Sequence, residues 1–320
     1  MRAIVMRSIG GPEVLQLDEV PEPEPGPGEV LVKIEAIGVN FADTERRRAV
    51  YAAPPLPWIP GREAAGTVVA VGPEVDAALV GARVAYFAPL ASGSYAELAT
   101  VPASALFRFD SELPFEVMAA LPLQGLTAHG VWSFAAMRPG QTALVLAAAG
   151  GVGLILVQLA RRAGARVLGA VSTPSKRDAV AALGARVIAG YEDLAEAARS
   201  FTAGRGVDVV FDSIGRATQA ASLAALAPHG QLVCYGDASG MPEPIDVDSL
   251  YGRSLRVGAF GLDIDRDAEA AELARRELVT ALGRGELRML ISRRFPLAEA
   301  AAAHVEIEGR RSVGKIILLP

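Results

Sequence analysis

The stretch from Gly140 to Arg161 constrains this chain more than any other. An apolar run from Thr142 to Ala147 meets Gly150, Gly151 and Gly153, after which Val152, Ile155, Leu156 and Leu159 recur at helical spacing and Arg161 and Arg162 bring charge to the end. That order reads as strand, glycine turn and helix. Backbone without side chains can approach a pyrophosphate, and the first N–H groups of a helix, with its positive dipole end, point at an anion. Gly150, Gly151, Val152 and Gly153 are therefore candidate cofactor-binding residues. Two other readings compete. No residue from Thr142 to Ala160 is charged, a length near that of a membrane span, but glycines and Gln158 interrupt it and it stands alone in the chain. Ala148 also occupies the usual place of the first glycine, so the turn alone does not exclude a buried βα corner that binds nothing.

The flanking sequence supplies the context. From Thr142 to Tyr235 expected strands (142–147, 166–171, 186–189, 207–212, 231–235) alternate with expected helices (153–163, 175–183, 193–200, 218–226), which implies a doubly wound parallel α/β sheet with ligands at the carboxyl ends of its strands. Residues 1–121 read differently. Short strands at 3–6, 14–17, 29–36, 66–71, 82–87 and 95–101, parted by turns such as Gly10-Gly11-Pro12, indicate a small mainly β barrel or sandwich. The proline-rich run Pro21–Gly28 is a stiff connection between two strands. Helices are expected over 114–120 and 127–135, and the tail carries two more, 267–282 and 297–308, before a last strand at 314–319. Three regions follow: 1–121, a dinucleotide-binding region 122–258, and a return segment 259–320 too small to stand alone, which is expected to pack on the first.

Charge and composition narrow the function. The 320 residues hold 31 basic and 36 acidic side chains, a net of −5, so no footprint for nucleic acid or an anionic membrane is present. One cysteine, Cys234, excludes an internal disulfide, and with only 3 histidines a structural zinc cluster is excluded too. The N-terminus lacks the apolar core of a signal peptide, and a cytoplasmic protein is expected. An NAD site places a carboxylate about 20 residues past the glycines. Here the second strand ends in Ser172, no acid comes before Asp178, and Lys176 and Arg177 follow at a helix start. A 2′-phosphate would be repelled by a carboxylate and welcomed by a hydroxyl with two cations, so the expected cofactor is NADPH.

The extended pattern Gly140, Gln141, Leu144, Ala148, Ala149, Gly150, Gly151, Gly153, Gln158, Arg161 resembles the signature of the zinc-free quinone oxidoreductase and zeta-crystallin branch of the medium-chain dehydrogenases/reductases. The similarity runs through residues 10–15, 37–43, 61–66, 125–127, 208–213 and 313–316 in family order. The resemblance implies a Rossmann NADPH domain, a GroES-like catalytic domain completed by the tail, and a cleft at their junction. It further implies that Asn40 faces nicotinamide and substrate, and that Thr127, Ser172, Lys176 and Tyr191 contact the cofactor, with Ser213 and Gly236 at later strand ends. Tyr51 is expected to line the same cleft as a stacking surface or hydroxyl donor. In zinc-dependent relatives a cysteine ligand stands at position 40 and a histidine at 62. Here Asn40 and Arg62 stand there, so no metal is expected.

Without a metal, hydride transfer suits an acceptor that is already electrophilic, a quinone or conjugated carbonyl, and the protein's task is orientation and oxyanion stabilisation. Glu45 and His129 stand where relatives often carry aromatics, which leaves the acceptor open. His129 is read as a scaffold residue, His229 and His304 receive no role, and Cys234 reads as a buried small hydrophobe. Enoyl-thioester reduction and a non-catalytic NADPH-binding protein remain as alternatives. A homodimer paired through the apolar strand 255–260 is expected.

Overall fold

A computed structural model describes residues 1–51, 55–109, 112–264 and 266–320. In chain order the first part supplies β1 (Arg2–Val5), β2 (Gln16–Glu19), β3 (Glu29–Val39), α1 (Phe41–Arg47), β4 (Glu63–Val71), β5 (Arg83–Phe87), β6 (Leu98–Pro102), β7 (Leu106–Arg108) and α2 (Phe115–Ala119). Alternation follows: α3 (Pro122–Ala135), β8 (Thr142–Val145), α4 (Gly151–Arg162), β9 (Arg166–Val171), α5 (Arg177–Ala181), β10 (Arg186–Ala189), α6 (Leu194–Phe201), β11 (Val207–Asp212), α7 (Gln219–Ala225), β12 (Leu226–Cys234), α8 (Asp248–Tyr251) and β13 (Arg256–Ala259). The tail adds α9 (Ala268–Gly283), β14 (Ile291–Pro296), α10 (Ala300–Glu308) and β15 (Lys315–Leu319). Two compact units result, Met1–Leu123 with Arg275–Pro320, and Gln124–Ala274. Among the described residues no helix is long and apolar enough to cross a membrane.

The unit Gln124–Ala274 is built on a six-stranded sheet in the order β10-β9-β8-β11-β12-β13, with every pairing parallel. This is the doubly wound dinucleotide-binding order, in which the chain reverses direction between β8 and β11. Every residue of β8 is buried, as expected where helices cover both faces. Leu144, Leu168, Val210 and Leu232 form its centre. At the amino end of β11, Asp208 accepts hydrogen bonds from the backbone N and hydroxyl of Thr142, both at 2.7 Å, and so ties β8 to β11. β12 begins earlier than expected because Leu226 already pairs with Val207 before a register shift. The expected helix 175–183 is shortened, since Pro174–Lys176 forms a 3-10 turn first.

The unit boundary differs from the sequence expectation. Residues 259–274 lie with the dinucleotide-binding unit and not with the return segment. Phe260 N extends the β12 ladder by donating to Cys234 O at 2.8 Å. The Phe260 ring lies 6.2 Å from that of Phe134 and occupies the space that a side chain at Gly130 would need.

In the other unit β3 is the spine of a seven-stranded sheet, β14-β15-β3-β4-β5-β7, with β6 also paired to β3. The tail returns as β15, antiparallel to β3 with Ile316 opposite Val39 and Leu318 opposite Ile37. Ile316 and Leu318 thereby join Val30, Val32, Ile34, Val84 and Tyr86 in one core. Burying that apolar face is what a segment too short for its own core gains by docking. The sequence reading omitted α1, β7 and β14. The signal for α1 was present: Asp43 reaches back to accept the backbone N–H of Asn40 at 2.9 Å, the acidic half of a capping box.

Candidate active site

The candidate functional residues fall in both units. In the dinucleotide-binding unit, the first hydrogen bond of α4 runs from Leu154 N to Gly150 O, 2.9 Å. The N–H groups of Gly151, Val152 and Gly153 precede it and have no partner within the helix. Gly153 is sterically required, because a Cβ there would sit 2.4 Å from Ala147 O and 2.8 Å from Ala148 Cα. A Cβ on Gly151 would meet the Gln124 side chain, whereas one on Gly150 would meet only Ala147 O at 3.1 Å. The departure at Ala148 is explained by the backbone. The left-handed residue of the turn is Ala147, with φ 46°, so no glycine is needed at 148.

The other candidates in this unit line one edge of the sheet. Ser172, Tyr191, Ser213 and Gly236 follow the carboxyl ends of β9, β10, β11 and β12, on the same edge as the glycine turn after β8. Gly236 lies against Ser213, since a Cβ on it would be 3.0 Å from Ser213 O. The loop after β11 is shaped by the buried Asp212 carboxylate, which accepts from Ile214 N at 2.7 Å, Gly215 N at 3.1 Å and the Thr218 and Ser222 hydroxyls, both at 2.8 Å. Thr127 is half-buried on α3, one helical turn from the Gln124 that packs on Gly151. Ser172 and Arg177 are exposed, and Lys176 is half-buried. Desolvation lowers the Lys176 pKa, the response of a cation partly removed from water. Free N–H groups at a helix start, a glycine that only backbone fits, and a cation-bearing turn without a carboxylate suit a dinucleotide with a 2′-phosphate.

In the other unit Asn40 sits at the end of β3 and is buried. Its Nδ2 donates to Glu63 Oε1 at 2.7 Å, and its Oδ1 accepts from Lys315 Nζ at 2.7 Å. Lys315 also pairs directly with Glu63 Oε1. The second Glu63 oxygen accepts the Leu123 backbone N–H at 2.7 Å. Tyr51 is 40% exposed, with the Arg46 guanidinium 5.5 Å from its ring centre. Glu45 is held by Arg48. His129 is half-buried on α3. Burial raises the Cys234 thiol to about 11, which leaves it protonated and unreactive at neutral pH.

Sequence reasoning missed a buried chain behind Asn40. Arg47, 1% exposed, donates to Gly10 O at 3.1 Å, to Glu308 Oε1 at 2.7 Å and to His304 Nδ1 at 3.1 Å. A guanidinium cannot accept, so Nδ1 of His304 must, and the proton of the neutral ring lies on Nε2. Nε2 then donates to the Tyr95 oxygen at 3.0 Å, and the Tyr95 hydroxyl to Asp43 Oδ2 at 3.3 Å. Burial, helped by the Arg47 charge, pushes His304 down to about 3. Burial also pushes the Asp43 carboxyl up to about 6, against the pull of the Asn40 N–H and the Lys315 charge.

Comparison with known proteins shows the family. Residues 26–111 match the family described as alcohol dehydrogenase GroES-like domain, and residues 151–276 the one described as zinc-binding dehydrogenase. A quinone oxidoreductase of Pseudomonas aeruginosa is 39% identical over 100% of this chain and 99% of its own length. The chain belongs to the quinone oxidoreductase branch of the medium-chain dehydrogenases/reductases. A 2-haloacrylate reductase of a Burkholderia species is also 39% identical, over 99% of this chain and 98% of that one. The solved structure of mycobacterial Rv1454c, complexed with NADPH, superposes with a TM-score of 0.92 at 40% identity, each chain covered in full. The chain is an oxidoreductase by this membership. The zinc of the wider family does not fit the residues at its ligand positions. Asn40 is committed to Glu63 and Lys315, and Arg62 donates to Ala88 O at 2.8 Å while its guanidinium lies 4.2 Å over Phe87. A cationic guanidinium is no metal ligand.

Proposed function

We propose that this protein is an NADPH-dependent, zinc-independent reductase of quinones or conjugated carbonyl compounds. The observation that carries the reading is the Asn40 amide: its oxygen and one of its N–H groups are engaged, and among the described residues the second N–H has no acceptor. Such a donor suits the oxygen on which charge develops when hydride reaches a quinone or the β-carbon of an enone. The relatives named quinone oxidoreductase and 2-haloacrylate reductase support an acceptor of conjugated type. Rv1454c, solved with NADPH, supports the cofactor.

The N–H groups of Gly151, Val152 and Gly153 bind the pyrophosphate, and Ser172, Lys176 and Arg177 take the 2′-phosphate. Thr127, Tyr191, Ser213 and Gly236 flank the ribose and nicotinamide. Bound NADPH would supply the hydride, and with it both electrons of the reduction. Asn40 holds the resulting oxyanion through Nδ2–H. An amide is no acid at neutral pH, so the proton that completes hydroquinone or saturated carbonyl comes from water. Tyr51 offers an exposed ring against which a flat acceptor stacks. We place the protein in the cytoplasm as a homodimer joined through β13.

Loss of reduced nicotinamide absorbance, followed in parallel with a quinone, a simple enone and a crotonyl thioester, tests this reading. Turnover with the first two is expected, and Asn40→Ala should lower kcat roughly 10²- to 10³-fold with little change in NADPH affinity. Tight NADPH binding with no turnover of any acceptor would sink the proposal in favour of a binding protein.

A further inference from the structure

The orientation of the Asn40 amide has a cause in the sheet register. β15 pairs with β3 so that Ile316 lies opposite Val39, and the next position of that antiparallel register sets Lys315 opposite Asn40. β4 pairs Ala64 with Ile37, which brings Glu63 opposite Gly38 in the same way. Three strands distant in sequence thus deliver an amide, a carboxylate and an ammonium to one point. Gly38 makes room for them, since a Cβ there would lie 2.5 Å from Glu63 Oε1 and 2.7 Å from Lys315 Cε. The Lys315 and Glu63 side chains are both 0% exposed.

An amide has nearly the same shape after a half-turn about its last bond, but its donor and acceptor exchange places. Shape therefore does not decide whether Asn40 offers an N–H or a carbonyl oxygen. Its neighbours do. Lys315 is only a donor, and the Glu63 carboxylate is only an acceptor. A flipped Asn40 would set Oδ1 against the carboxylate and Nδ2 against the ammonium, two mismatches with side chains that are fully buried. Backbone anchoring of the second Glu63 oxygen by Leu123 N–H keeps the carboxylate from turning away.

We propose that Lys315 is a positioning residue for the reductase reaction: with Glu63 it locks the Asn40 amide so that the group meets the acceptor as a hydrogen-bond donor and never as an acceptor. The inference rests on the assignment of Asn40 to the acceptor oxygen. It explains why β15, from the far end of the chain, carries a lysine within an otherwise apolar strand.

The test is a cycle of variants in the full-length protein: Lys315→Met, Lys315→Arg, Asn40→Ala and Asn40→Ala with Lys315→Met. Because Lys315→Met leaves a buried carboxylate unpaired, Lys315→Met with Glu63→Gln supplies a neutral version that should fold. Thermal midpoint and NADPH titration establish that each variant is intact. Lys315→Met and its neutral version should lose kcat roughly 10- to 100-fold, with acceptor KM and NADPH Kd within about twofold. Lys315→Arg should recover most of kcat, since it also donates only. In the Asn40→Ala background Lys315→Met should cost nothing further. An equal loss in both backgrounds, or an unchanged kcat in Lys315→Met, overturns the proposal. Absence of turnover in the parent with every acceptor would instead refute the proposed function. The clamp is then read from the side-chain amide protons of Asn40 in a nitrogen-15 spectrum. They should be slow to exchange in the parent and fast in the neutral variant, and identical behaviour in the two would overturn it.

Discussion

His304 and Asp43 share one hydrogen-bonded chain but respond to acid in opposite senses. His304, held near 3 in the folded protein against an ordinary 6.5, stays neutral while the unfolded chain gains a proton, so stability is lost as pH falls below about 6.5. Asp43, raised from 3.8 to about 6, binds its proton more readily folded than unfolded, so its contribution improves as pH falls through that window. The two largely offset each other between those values. Asp43→Asn should uncover the histidine, with unfolding free energy falling more steeply than in the parent by about 1.4 kcal/mol per pH unit. Urea melts at a series of pH values measure this, and parallel curves would contradict it. At the cofactor, if Lys176 contacts the 2′-phosphate as proposed, Lys176→Ala should weaken NADPH binding roughly 10- to 100-fold and NADH binding much less. Fluorescence titration with both nucleotides decides it, and equal losses would remove Lys176 from the phosphate site.

At the scale of elements, the glycine turn and the capped helix α1 contrast in how much the sequence disclosed. The turn was readable because its physics is local: apolar strand, glycines and helical periodicity adjoin one another. What local pattern could not rank was the need for each glycine. The structure separates them, since Gly153 abuts backbone that cannot move while Gly150 has only Ala147 O nearby. Gly153→Ala should destabilise the protein by about 1–3 kcal/mol and abolish NADPH binding, whereas Gly150→Ala should remain close to the parent in stability. Melting and titration of the two variants check the contrast. α1 was overlooked although its acidic cap was in plain view, because it is only seven residues long and follows β3 after a single residue, Asn40. Its orientation depends on Tyr95 and His304, which bond to its own Asp43 and Arg47 from two distant places in the chain.

For the molecule as a whole, the alternation of strands and helices foretold the parallel sheet, and the tail's return to the first unit followed from its being too short to bury a core. Its exact start did not follow, because Phe260 extends the pairing of β13 with β12 by one hydrogen bond and packs against Gly130, a contact with no sequence signature. β13 pairs with β12 and, among the described strands, with nothing else. Its unpaired backbone groups and the 36% exposed Val257 suit pairing with a second copy. Sedimentation should give twice the chain mass of 33.3 kDa, and Val257→Pro, which removes a backbone donor and stiffens the edge, should shift the protein to monomer. A parent that sediments as a monomer would refute the pairing.

The amino-acid order alone disclosed whatever depends on neighbours along the chain: the strand, glycine turn and helix, the absence of an acid after β9, the residues Asn40 and Arg62 at positions where zinc ligands stand in relatives, and the family these residues resemble. Tertiary structure decided what depends on residues far apart. Asn40, Glu63 and Lys315 were each within stretches already linked to the family, yet nothing in their spacing says that three strands carry them to one buried point. Sheet register made that meeting, and removal from water made its polarity matter, because a donor facing a donor is costly only where solvent cannot intervene.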